Sequence, residues 1–388
     1  MKPTHTLSAL IAVGALSLTA CSASQVAATS EQGSASAAPV TGAESVVRTA
    51  QAELAKYTAE PPFVAPNDPF AVAGLRGKRV AIVAVDQTTP SLLSTIKGAQ
   101  AAAKVAGLET TVYDAKDTPS EMTAGVAQAV AAHVDAIVLV GVSAALVSAQ
   151  LASARSAGIP VVMANNSQPD AKAPGQGAGA ALFANSAPDY RLQGRLAADA
   201  AIVRSGGAAK AILVTTDGID PAPAVSQGFE DGLAACSTCE VLDRRHVQLQ
   251  DWFNGNLASL TTSALSTNKD ANIVLPIYVT MAMFMVPAAQ QAGKAGKVTF
   301  FSTSAPPDGA ALLAANASLG GLAGMSDDYV GWLAINQAMR GMLELAPGNP
   351  TVPTRYLTGE TVKKAGTSGE ALYGIAYQAG FRKLWGLG

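Results

Sequence analysis

From Arg79 onward, short apolar runs rich in β-branched residues alternate with longer stretches whose apolar positions recur every three to four residues. "RVAIVAV" (79–85) is followed by "PSLLSTIKGAQAAAKVAG" (90–107), and "LETTVYDA" (108–115) by "PSEMTAGVAQAVAAH" (119–133). "VDAIVLVG" (134–141) is followed by "SAALVSAQLASARSAG" (143–158), and then "IPVVMANN" (159–166). The short runs suit buried strands, the longer ones helices packed on one face. Pro119, Ser120 and Glu121 form a helix start, and Gly107 and Gly158 form helix stops. The alternation resumes with a strand in "GAALFAN" (179–185) and a long helix in "APDYRLQGRLAADAAIVRSGG" (187–207). Strands follow in "AKAILVTTD" (209–217), "CEVLDRR" (239–245), "ANIVLPI" (271–277), "KVTFFSTS" (297–304) and "LGGLAGM" (319–325), with helices between them. The last long helix is "DYVGWLAINQAMRGMLEL" (328–345). Strands alternating with helices of this length mean βαβ units and parallel sheets. Two doubly wound α/β lobes fit the length better than one very large sheet.

The start of the chain reads differently. Lys2 and His5 precede the apolar run "LSALIAVGALSL" (7–18), which is too short to span a bilayer. This order is that of a secretory signal over residues 1–20. Leu18-Thr19-Ala20-Cys21 resembles the bacterial lipobox. That resemblance implies a lipid on Cys21 that anchors the exported chain to the membrane. Residues 21–77 are expected to be a flexible tether and Pro-rich spacer carrying one helix, "ESVVRTAQAELAKY" (44–57). The other two of the three cysteines, Cys236 and Cys239, lie in "ACSTCEV". Outside the membrane a disulfide is their default, with redox work or free thiols as alternatives. No metal site is expected, since only His133 and His246 could join them as soft ligands. Net charge is −2 with no basic run, which excludes nucleic acid as a partner. "GKAGK" (293–297) lacks P-loop spacing and "TTDGID" (215–220) is no nucleophile elbow, so neither an enzyme nor a cofactor is expected.

In open parallel sheets a ligand sits beyond the carboxyl ends of the strands. Those ends are "DQTTP" (86–90), "GVS" (141–143), "NNSQPD" (165–170), "TTDGID", "QDWFNGN" (250–256), "YVT" (278–280) and "STSAPPD" (302–308). "VAIVAVDQTTPSLLSTIKGAQAAAKVAG", "SAGIPVVMANN", "VSQGFEDGL" and "SDDYVGWLAINQAM", in that order, resemble the type I periplasmic binding proteins, especially the ribose-binding-like branch. The resemblance implies two lobes closing over a small-molecule ligand and handing it to an ABC permease and ATPase. It places the N-terminal lobe at 78–186 with 326–350 and the C-terminal lobe at 187–325 with 351–388. It implies hinge crossings near Ala184 to Ala187, Gly324 to Asp327 and Thr351 to Thr354, and a ligand-facing ring at Trp252. The ligand-contact candidates are Gln87, Thr89, Asn165, Asn166, Asn185, Asp217, Trp252, Tyr278, Ser304 and Met325. Met281, Met283 and Met285 read as core filling.

Sugar-binding members of that family commonly carry Asp-Arg after the fourth strand, where this chain has Asn165 and Asn166. They often have Asn-Asp where it has Tyr278 and Val279, and Asp where it has Ser304. With few charges at the strand ends, a neutral cyclic or aromatic ligand is favoured over a free sugar. A lipoprotein that reports ligand occupancy to a membrane receptor is the alternative to an importer component.

Overall fold

The computed structural model of the protein describes residues 42–169, 181–252 and 254–388. The signal segment, Cys21 and the first part of the tether lie outside the described residues. Helix α1 (Gly42–Ala55) comes first. Then follow β1 (Arg79–Ala84), α2 (Pro90–Ala106), β2 (Glu109–Asp114), α3 (Pro119–Ala131), β3 (Ala136–Val140), α4 (Ser148–Ser156), β4 (Val161–Ala164) and β5 (Ala184–Pro188). The next stretch holds α5 (Tyr190–Arg204), β6 (Lys210–Thr216), α6 (Ala222–Ala234), β7 (Glu240–Val247), α7 (Asn256–Thr267), β8 (Ile273–Pro276) and α8 (Val279–Gln291). It continues with β9 (Thr299–Thr303), α9 (Pro307–Ala315) and β10 (Leu319–Met325). The chain ends in α10 (Asp327–Met342), β11 (Thr351–Val352), β12 (Thr354–Leu357), α11 (Gly359–Ala365), α12 (Gly369–Tyr373) and α13 (Ala376–Leu384).

The strands form two six-stranded sheets, ordered β11-β5-β4-β3-β1-β2 and β12-β10-β9-β8-β6-β7. All pairings are parallel except β12 on β10, so the doubly wound α/β architecture read from the alternation is the observed one. The first sheet is buried on both faces. Ile82 and Val138 enter one apolar cluster, while Ala81, Val83 and Ile137 enter the other, as the period-two pleat demands. Helix starts are built into the strand ends. Thr118 accepts from Glu121 N, Asp189 from Leu192 N and Ser326 from Tyr329 N, each capping a new helix just after a strand. The positions that start helices are therefore those facing the space beyond the sheets. Met281 and Met285 are fully buried core, as expected, while Met283 is only half-buried.

Several boundaries differ from those read in the sequence. The strand expected at 179–185 begins at Ala184 and runs through Pro188, and Asp189 caps α5. The spacer before residue 78 is not a loose linker: Phe63, Phe70, Val72 and Leu75 pack into the first lobe's cluster, while Ala50 and Leu54 of α1 pack into the second lobe's. The expected C-terminal lobe segment 351–388 divides in the same way. β11 pairs with β5 of the first sheet, and Tyr377, Phe381, Leu384 and Trp385 belong to the first lobe's cluster. The reason is aromatic surface: α13 covers Trp332 and Tyr329 of α10, which would otherwise face water. The described chain thus crosses between lobes five times, adding 57–63 and 373–377 to the three crossings expected. Cys236 and Cys239 are joined in a disulfide at the turn from α6 into β7.

Candidate ligand-binding cleft

A cleft of about 330 Å³ lies between the carboxyl ends of the two sheets. The first lobe contributes Val85 and Asp86 after β1, Asp117 after β2, Ser143 after β3, and Asn165 and Asn166 after β4. The second contributes Asp220 after β6, Trp252 after β7, Tyr278 after β8 and Ser304 after β9. Tyr190 and Gln193 of α5, with Met325 and Asp327 beside the third crossing, form the floor near the hinge. Among the described residues six non-glycine positions have positive φ, and three of them, Asp117 (55°), Asn165 (53°) and Ser304 (65°), line this cleft. Backbone strain concentrated at one cavity marks a site whose geometry the surrounding structure enforces.

The structure sorts the candidate residues. Thr89, Asn165, Asn166, Trp252, Tyr278, Ser304 and Met325 line the cleft. Gln87 is exposed and lies outside the lining. Asn185 also lies outside it, and its amide donates to the Ser167 carbonyl at 2.7 Å, holding the chain after β4. Asp217 pairs with His246 at 3.3 Å on the surface of the second lobe. Among those that do line the cleft, some are already committed. Thr89 donates its hydroxyl to Asp86 at 2.8 Å. Asn165 donates to Thr95 Oγ1 at 3.1 Å and to Asp327 Oδ1 at 3.2 Å, and accepts from the Tyr190 hydroxyl at 3.1 Å. Asn165 is therefore a positioning residue at the hinge. Asn166 donates to the Val142 carbonyl and, across the cleft, to Asp220 Oδ2, both at 3.1 Å. That second bond ties one lobe to the other. The rings of Trp252 and Tyr278 lie 6.2 Å apart and tilted by 54°, forming an aromatic wall on the second lobe.

The cleft is more charged than its sequence pattern promised. Asp86, Asp117, Asp220 and Asp327 line it, and no Lys, Arg or His does so among the described residues. The reading of few charges at the strand ends is corrected here. Asp86 sits next to Gln87 after β1, and Asp327 opens α10 two residues after Met325. Burial raises the Asp86 carboxyl. The amides and hydroxyls of Thr88 and Thr89 outweigh that and hold it below the usual carboxylate range. Asp117 is raised, by burial first and then by the charge of Asp86. Asp327 is pushed up to about 8 by burial and by neighbouring Asp328, against the smaller opposite effect of the Asn165 amide. Burial also raises Tyr190 and Tyr278, which keeps both hydroxyls protonated donors at neutral pH.

Residues 80–342 match the model of the periplasmic binding protein domain family. No curated protein sequence matches the chain. Among solved structures, an ABC transporter solute-binding protein from Actinobacillus succinogenes with bound D-allose is similar. It has 19% identity and a TM-score of 0.65 over 74% of this chain and 99% of that one. One from Agrobacterium vitis bound with α-D-tagatopyranose has 19% identity and a TM-score of 0.66 over 75% and 97%. One from Bacillus halodurans with bound myo-inositol has 15% identity and a TM-score of 0.65 over 74% and 97%. At these identities the likeness is one of fold.

Proposed function

This chain belongs to the periplasmic binding protein domain family, and from that premise we propose that it captures a small cyclic, hydroxylated solute between its lobes and delivers it to an ABC importer. The observation that carries this reading is the cleft itself. Both sheets present their carboxyl ends to one cavity of about 330 Å³, within the usual range of ligand sites (about 300–1,000 Å³). The Asn166–Asp220 bond spans it as a latch. The lining suits a monocyclic ligand with several hydroxyls: carboxylates and amides to accept and donate, and an aromatic wall for the ring face. Similar proteins hold allose, tagatopyranose and myo-inositol, which supports this class. The carboxylates weigh against a neutral cyclic or aromatic ligand without hydroxyls and toward a hydroxylated ring.

The lobes that move are 63–188 with 326–352 and 376–388, against 42–57 with 189–325 and 354–373. Binding closes them about the five crossings. A thermal-shift screen of pentoses, hexoses and cyclitols identifies the ligand, since saturation at 100 times Kd stabilises the folded state by about 2.7 kcal/mol. With that ligand, Trp252→Ala is expected to lose about 1–3 kcal/mol of binding free energy through the lost ring contact. Small-angle scattering is expected to report a smaller radius of gyration on saturation. Wild-type affinity in Trp252→Ala together with an unchanged radius would remove the cleft as the binding site.

The protein works outside the cytoplasmic membrane, held there by lipid on Cys21. No helix among the described residues is long and apolar enough to cross a membrane. Cys21→Ser is expected to move the protein from the membrane fraction to the soluble one. Equal membrane retention of the variant would count against lipidation.

A further inference from the structure

The cleft has an unbalanced charge. Four carboxylates face it without a basic side chain among the described residues. Asp86 is accounted for, because Thr88 and Thr89 give its two oxygens four donors. The other three are not. Asp220 and Asp327 each accept one amide hydrogen bond, from the adjacent residues Asn166 and Asn165, on a single oxygen. The second oxygen of each makes no hydrogen bond among the described residues, and neither does the side chain of Asp117. These groups do not converge as a metal site: no set of three His, Cys, Asp or Glu side chains among the described residues could hold an ion. A second, independent feature points to an organic ligand. Gln193 is 2% exposed, lines the cleft, and its Nε2 donor has no partner. It lies one turn along α5 from Tyr190, whose hydroxyl already reaches Asn165 beside Asp327.

We propose that the solute carries a protonated amine as well as hydroxyl or ring oxygens, as an amino sugar or aminocyclitol does. This rests on the reading of the cleft as the solute site and narrows its ligand. A neutral polyol placed here leaves the carboxylates desolvated on closure with no opposite charge, which is costly even with hydroxyl donors. An ammonium group supplies the missing charge and three donors for the open oxygens of Asp327 and Asp220. The Trp252 and Tyr278 ring faces favour a cation further. Gln193 then donates to a ligand oxygen on the hinge side. The high pKa of the Asp327 carboxyl agrees: its surroundings lack a cation until one arrives.

The test is calorimetry of the full-length protein, at neutral to mildly alkaline pH, where the raised Asp327 carboxyl can give up its proton to an ammonium partner, against matched pairs: D-glucose and D-glucosamine, D-galactose and D-galactosamine, myo-inositol and an amino-inositol. The expected result is at least about tenfold tighter binding of the amino member of one or more pairs. That preference should shrink in Asp327→Asn and in Asp220→Asn and should weaken with added salt. Both replacements keep shape, and thermal melts of the unliganded variants confirm folding. An Asp117→Asn variant keeps the test standing if either fails to fold. Equal or tighter binding of the hydroxyl member in every pair overturns the amine and leaves the cleft reading intact. Neither heat nor thermal shift from any member of any pair overturns both.

Discussion

Gly331→Val is expected to unfold the first lobe. Helices α2 and α10 cross so closely that a β-carbon at Gly331 collides with the Thr95 carbonyl and the Ala99 amide of α2. The reciprocal position is no looser, since a β-carbon at Gly98 meets the Asp328 carbonyl. These obstacles are backbone atoms of packed helices and cannot rotate away, so the helices must separate. Overpacking in a core typically costs about 1–3 kcal/mol where side chains can yield. Here they cannot, and about 4 kcal/mol or more is expected, a large share of the roughly 5–15 kcal/mol that holds a domain together. The second lobe repeats the device. A β-carbon on Gly194 of α5 meets the Val225 carbonyl, and one on Gly228 of α6 meets Arg191 and Arg195 backbone. Chemical denaturation measures the effect, and Gly331→Ala gives the graded comparison. A Val variant that unfolds within about 1 kcal/mol of wild type would mean that the helices are not in contact there. The site is expected to fail along with the fold, because α10 begins with Asp327 and α2 follows Thr89.

Trp385→Ala is expected to cost about 3–5 kcal/mol. Trp385 is fully buried, with its ring stacked on Trp332 at 5.5 Å and 8°. Its indole N–H donates to Asn336 Oδ1 at 2.9 Å, and Asn336 in turn donates to Asn67 Oδ1 at 2.8 Å. Truncation therefore opens a cavity and also leaves a buried amide oxygen unpaired, each a separate cost. Trp385→Phe keeps the stacking and loses the hydrogen bond, so it is expected to fall between. Thermal melts and limited proteolysis check this, with first cuts expected in 60–75 and around α10, which the C-terminal helix covers. A loss under about 1 kcal/mol would mean that residues 376–388 do not complete the first lobe.

The expected site was partly legible. Asn165, Asn166, Trp252, Tyr278 and Ser304 all follow strands, and the rule that ligands gather at strand carboxyl ends brought them together. Asp86 could have been found the same way, since Asp-x-Thr-Thr directly after a strand is a carboxylate waiting for two hydroxyls and two amides. Tyr190 and Gln193 could not, because they look like ordinary interior positions of a helix. They reach the cleft only because that helix begins at the crossing between lobes. Asn185, which lies second in β5 and not at its end, and Asp217, which follows β6, both miss the cleft. One turns back to hold the β4–β5 connection, and the other points outward to His246.

By itself, the sequence of this protein determined what local periodicity and chain stereochemistry determine. Runs such as "AIVLV" pack on both faces, so they become interior parallel strands. Thr118, Asp189 and Ser326 start helices because their side chains satisfy amides three residues ahead. Cys236 and Cys239 are close enough in the chain to meet at any tight turn. Tertiary structure alone decided which lobe the two ends of the chain complete and how charged the cleft is. Trp385 could cover any apolar helix face, and only the aromatic face of α10 made the first lobe its partner. Asp327 and Asn165 stand 162 positions apart, and Asp220 and Asn166 stand 54 apart. No local pattern encodes such pairings. They form because five crossings hold the two sheets with their carboxyl ends toward one cavity, which brings carboxylates from different lobes together.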